Sequence, residues 1–178
     1  LYSIRIISHI FEGLYRYDPL AMPVKIKPLT ALAMPLVSSD FLTWTITLQK
    51  GIFFADDPAF GGKPRELVAE DFVYALKRHA TTRITAPIYG IFAEYVVGLK
   101  EYGARVKQED AKLRAGLDKS SRDLPFLDFR RWPLAGASAP EKHLLRIRIK
   151  GKYPQWNYWM GMTFLSPIPW EADAFYAQ

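Results

Sequence analysis

The sequence contains no cysteine and only three histidines in 178 residues. The first absence excludes disulfide scaffolds, cysteine-bearing zinc ribbons, iron-sulfur clusters and thiol nucleophiles. It leaves the redox compartment open, because a cysteine-free chain tolerates either environment. His9, His79 and His143 stand too far apart to form a helical i,i+4 ligand pair. Long hydrophobic runs are missing too. The most apolar stretch, residues 156–170, is shorter than a bilayer requires and contains Pro167 and Pro169. Residues 1–14 lack the ordered basic region, apolar run and cleavage site of a secretory signal. The first residue is Leu1 rather than Met, and the chain stops inside the helix-compatible run 170–178, so it reads as a fragment.

What is present is enough for a folded core. Hydrophobic residues make up 49% of the chain, which excludes a disordered segment and fits one domain or two small ones. Lys and Arg number 24 against 18 Asp and Glu, a formal +6. The two signs are interleaved, as in Lys107-Gln108-Glu109-Asp110-Ala111-Lys112, and no long basic block exists. An ordinary solvated surface is therefore the expected reading of the charge, ahead of an anion-binding face.

Hydrophobic spacing predicts a mixed order of elements. Tyr2, Ile6, Ile10 and Leu14, widened by Ile7 and Phe11, recur at helical spacing, so the chain should open with a core-packed helix running to the turn at Tyr17-Asp18-Pro19. Prolines at 19, 23, 28 and 35 then impose extended segments and turns. Residues 43–50 alternate strictly, with Trp44, Ile46 and Leu48 on one face and three threonines with Gln49 on the other, which predicts a half-buried strand. Ile52-Phe53-Phe54 is read as its resumption, and 56–64, with Gly61-Gly62, as a loop. Residues 69–80 have one apolar helical face, acids in the first turn and bases in the last. A short helix and then a strand are expected within 86–99, and an exposed helix over 105–119 with an Asp110–Arg114 pair. Residues 120–140 read mostly as loop, Leu145, Ile147 and Ile149 as the buried face of a second strand, and 155–163 as helix.

Catalytic patterns are mostly incomplete. Gly61-Gly62-Lys63 lacks the earlier glycine and following Ser or Thr of a phosphate loop, those places holding Asp57 and Pro64. Gly136-Ala137-Ser138-Ala139-Pro140 ends in proline where a nucleophile elbow requires glycine. Asp56-Asp57 lacks the acidic alternation of a calcium loop, and Asp56 is expected to stabilise its own turn. His9 reads as a satisfied core-edge residue and His79 as a favourable helix C-terminal group. Trp156, Tyr158 and Trp159 read as core ahead of a ligand face. Asp56, Asp57 and His79 are the best titrating candidates for an enzyme, with no evident third partner. No catalytic, metal or cofactor residue is assigned, and no cofactor is expected.

Three blocks carry a resemblance: Ile10-Phe11-Glu12-Gly13-Leu14-Tyr15-Arg16-Tyr17-Asp18, then Leu42-Thr43-Trp44-Thr45-Ile46-Thr47-Leu48-Gln49-Lys50-Gly51-Ile52-Phe53-Phe54-Ala55-Asp56, then Ala69-Glu70-Asp71-Phe72-Val73-Tyr74-Ala75-Leu76-Lys77-Arg78. In this order and spacing they resemble the dipeptide/oligopeptide-binding, family 5 extracellular solute-binding proteins of ABC importers. Leu145 to Ile149, Tyr153-Pro154 and Ser166-Pro167-Ile168-Pro169 are similar to later landmarks of the same region. Residues 100–142 differ from the usual connection. Gln49 stands where the family favours arginine, Asp57 where it favours glycine, and Val68 where threonine usually caps a helix; the 58–64 loop is enlarged.

The resemblance implies an α+β fold with a small, mainly antiparallel or mixed sheet and packed helices: the inserted domain, domain II, of a type II periplasmic-binding-protein-like receptor. Residues 1–18 would enter from the first lobe, 19–170 would form the domain with a variable insertion at about 100–142, and 171–178 would begin the return. The whole receptor would capture oligopeptides or similar solutes outside the cytoplasm, in the periplasm or lipid-anchored, and deliver them to an ABC permease in the inner membrane. This part would be a scaffold without a complete ligand site; no ligand-binding residue is assigned, and nucleic acid is not an expected partner. A competing class is a basic module for nucleic acid or an anionic surface, which requires Arg146, Arg148, Lys150 and Lys152 to gather with aromatics on one open face.

Overall fold

The computed structural model describes residues 2–115, 117 and 124–177. Among the described residues, six α-helices and two antiparallel sheets form an α+β architecture. The first sheet is the hairpin of β1 (Tyr15–Tyr17) and β2 (Ile26–Pro28). The second has four strands in the order β3 (Leu36–Val37), β4 (Thr43–Thr47), β6 (Leu144–Arg148) and β5 (Ala137–Glu141). The two strands legible from alternation thus lie side by side, Trp44 opposite Ile147 and Ile46 opposite Leu145. Their apolar faces pack under α2 (Ala69–Arg78), whose Phe72, Val73 and Leu76 are buried with them. Alternation puts one complete face of β4 and β6 in the core, so the register is strongly specified.

Helix α2 begins without the side-chain cap that a threonine would give, since Val68 offers no acceptor. Other groups take over. The Lys142 carbonyl accepts from Ala69 N–H at 2.8 Å, and the Asp71 carboxylate accepts from Val68 N–H at 2.9 Å. Gln49 donates from its amide to the carbonyls of Leu29 (2.9 Å) and Ala31 (3.1 Å), tying the end of β4 to the preceding extended segment.

Several expectations change. Helix α1 (Tyr2–Ile10) ends before the glycine of the first block, and Tyr15 to Tyr17 form β1 instead of its continuation. Leu14 and Tyr15 are buried, but Ile6 is 60% and Ile10 64% exposed, so the helical stripe does not pack on this core. His9 is likewise exposed. Phe53 makes only an isolated bridge to Glu66, because Gly51, at φ 75°, turns the chain out of β4. Within 86–99, α3 (Tyr89–Tyr95) is present, whereas the strand reduces to a bridge between Val96 and Ile149. Helix α4 (Leu99–Ala115) starts six residues earlier than the spacing predicts, burying Leu99, Tyr102 and Val106. Lys119, at the predicted end, lies outside the described residues. Ala137–Glu141, read as loop, is strand β5, held by pairing to β6 despite its weak strand composition. The expected helix at 155–163 shortens to α5 (Trp156–Trp159) and a separate turn at Thr163–Leu165. Trp156 is fully buried, its ring 5.8 Å from Phe92.

Helix α6 (Trp170–Tyr176) is fastened to α2 by two polar clusters. The Arg65 guanidinium donates to Asp71 (2.6 and 3.2 Å) and to Glu171 (3.0 and 3.3 Å). Asp173 accepts from Tyr74 Oη at 2.6 Å and from Arg78 Nε at 2.8 Å. Such charge-assisted bonds fix orientation as well as proximity.

Candidate functional site

The titrating candidates do not converge. Asp57, rather than Asp56, stabilises the loop turn: its carboxylate accepts from Ala59 N–H at 2.9 Å and from Tyr176 Oη at 3.0 Å. Asp56 is exposed. His79 sits at the end of α2, with Nε2 2.7 Å from the Phe164 carbonyl and its ring edge-on to Phe92. Burial first, and then the neighbouring Arg78 charge, lower its pKa below 6.5. Each of these groups therefore serves its own local structure. Ser138 lies on strand β5 and not on a strand-to-helix turn.

His143 belongs to a different cluster. The Glu66 carboxylate accepts from Lys142 Nζ at 2.6 Å and from Gly51 N–H at 3.0 Å, and lies 3.1 Å from His143 Nε2. The Lys142 bond, followed by Gly51 and His143, holds the Glu66 pKa down at about 2. A carboxylate so occupied is a structural clasp between the 51–66 loop and the β5–β6 turn. Among the described residues, no group of three or more His, Asp or Glu is placed to hold a metal ion, and no helix is long and apolar enough to cross a membrane.

An open cleft of about 220 Å³ lies at the C-terminal end of α1. His9, Phe11 and Glu12 form one side and Ile52, Phe53, Leu67 and Ser166 the other. Within its wall, Thr30 Oγ1 donates to the Gly13 carbonyl at 2.9 Å, while buried Ser166 Oγ has no partner among the described residues. The periodicity of α1 gave no sign of this cleft, because it arises from the chain turning at Gly13 and from the distant return segment. Its polar groups do not pair with one another.

The cationic residues are placed differently. Arg146, Arg148 and Lys150 all lie on the exposed face of the four-stranded sheet, opposite the buried Leu145, Ile147 and Ile149. Lys152 lies further along, 6.0 Å from the Phe41 ring centroid.

No family model matches the sequence, and no curated protein matches it. Solved structures do match. The pheromone receptor PrgZ, whose structure describes its mode of peptide binding, aligns with a TM-score of 0.68 and 21% identity, over 98% of this chain and 28% of its own. A periplasmic oligopeptide-binding protein of an oligopeptide ABC transporter from Borrelia burgdorferi aligns with a TM-score of 0.68 and 16% identity, over 98% of this chain and 28% of its own. The murein tripeptide-binding protein MppA of Escherichia coli aligns at 0.63 and 22% identity, over 95% of this chain and 26% of its own. The chain thus spans little more than a quarter of the length of these proteins. Over the aligned 95–98% of the chain its fold is that of one part of the oligopeptide-binding proteins of ABC transporters.

Proposed function

We propose that this chain is part of the substrate-binding receptor of an ABC importer, which captures oligopeptides or similar solutes outside the cytoplasm and delivers them to a membrane permease. The observation that carries the reading is the fold likeness, over 95–98% of this chain, to the peptide-binding pheromone receptor PrgZ and the murein tripeptide-binding protein MppA. Residues 19–170 act as the inserted scaffold domain, 1–18 as its connection to the first lobe and 171–178 as the start of the return. The exposed stripe of α1 and the divided polar groups of the cleft support this division. Binding in a hinged receptor draws on contacts from both lobes to favour closure, so a scaffold alone has no differential affinity to offer. The role is capture and delivery, without chemistry on the solute.

Deletion of the encoding gene tests the importer role. Cells lacking it should lose uptake of labelled short peptides, and a copy of the gene should restore it. Unchanged uptake across di-, tri- and oligopeptides in a strain with no other peptide importer would overturn the proposal.

A further inference from the structure

The outer face of the four-stranded sheet has an order that the receptor role does not use. Cross-strand register sets Leu36, Thr45, Arg146 and Ser138 in one row across the sheet, with Thr43 beside Arg148 in the next. Leu32 joins this face, because the bridge of Ala31 to Leu48 places it opposite Thr47. The face therefore grades from leucines, 63% and 74% exposed at positions 32 and 36, through threonines to the cations of β6. Arg146 and Arg148 follow at a two-residue step, about 6.8 Å apart along an extended strand, and Lys150 comes two residues past the end of β6. Among the described residues, no side-chain hydrogen bond or ion pair engages Arg146 or Lys150. Arg148 has one acidic neighbour, Asp40, which is already engaged by Ser38 and the Leu42 N–H.

We propose that this sheet face binds an anionic phospholipid surface, with Arg146, Arg148 and Lys150 meeting the headgroup phosphates and Leu32 and Leu36 entering the headgroup–acyl boundary. Unpaired cations beside exposed aliphatic side chains match both layers of such an interface. Nucleic acid fits less well. Single strands are held by successive aromatic platforms, and among the described residues this face offers Phe41 alone, at its edge, 47% exposed and with Lys152 Nζ 6.0 Å from its ring centroid. The inference stands independently of the solute-binding role, because neither the cleft nor any closing motion enters it.

Flotation of the full 178-residue chain with phosphatidylcholine vesicles, with and without phosphatidylglycerol, tests it. Association is expected only with phosphatidylglycerol, and it should weaken as salt is raised. Arg146→Gln, Arg148→Gln and Lys150→Gln together should weaken it by on the order of 100-fold. The charge-matched Lys63→Gln, Lys100→Gln, Lys107→Gln variant should retain most of it, and circular dichroism should show both variants folded. Leu32→Ser with Leu36→Ser should leave binding salt-sensitive but weaker. No association with anionic vesicles would overturn the proposal, as would equal loss in the two charge variants. Binding of a labelled single-stranded oligonucleotide that depends on the β6 cations, without vesicle binding, would replace lipid by nucleic acid and also overturn it.

Discussion

At the residue scale, two carboxylates fasten the structure in different ways. Asp71 is nearly fully buried and satisfies both the Arg65 guanidinium and the Val68 N–H. Asp71→Ala would leave part of a half-buried cation and a backbone donor unmatched, and should destabilise the chain by about 3 kcal/mol in urea unfolding. Glu66 acts nearer the surface, through Lys142, Gly51 and His143. Its folded pKa of about 2 is below its ordinary 4.5. The unfolded state therefore takes up the proton first, and the contribution is complete above the ordinary value and lost as pH falls toward 2. The stability difference between the wild type and Glu66→Gln, followed by denaturation across pH, should be greatest near neutrality and shrink steadily through the acid range. The Glu66 role was not visible in sequence, because Lys142 and His143 lie 76 and 77 residues from it.

At the scale of elements, what could be read depended on whether the pattern was local. Residues 43–50 and 145–149 declared themselves because alternation follows from which face is buried, and the structure sets both in the core. Strand β5 could not be read, since Ala137, Ser138 and Pro140 have little strand preference and the pairing comes from β6. Helix α1 shows the reverse case. Its apolar periodicity gave the helix over Tyr2–Ile10 but not its end, and periodicity says that a face is apolar and not what covers it. Ile10→Ala should accordingly change stability by less than about 0.5 kcal/mol, while Leu14→Ala should cost about 3 kcal/mol, both measured by chemical denaturation. Gly136 marks where β5, β6 and the segment after α3 crowd together. A Cβ there would collide with the Val97 carbonyl oxygen, a backbone atom that no rotamer change can move. Gly136→Ala should lower stability by about 1–3 kcal/mol, with a matching fall in melting temperature.

At the scale of the whole molecule, the sheet, α2 and α6 form one frame, cross-fastened by the Arg65 and Asp173 clusters. The α+β class and the fold likeness to oligopeptide-binding proteins were legible through the resemblance carried by three short blocks, whereas the pairing of β4 with β6 was not, because it joins segments far apart in the sequence. The cleft beside α1 and the ordered outer sheet face were not, since they depend on register and on the return of residues 166–167 to the start of the chain. On the proposed reading, a frame of this kind positions binding surfaces without completing one. The most direct test is calorimetric titration of a defined set of short peptides into this chain and, in parallel, into a receptor chain that carries it together with both lobes. The account predicts heat of binding and a raised melting temperature for the two-lobed receptor and neither for this chain alone. Saturable peptide binding by the 178 residues alone would place a complete site within them and contradict the scaffold assignment.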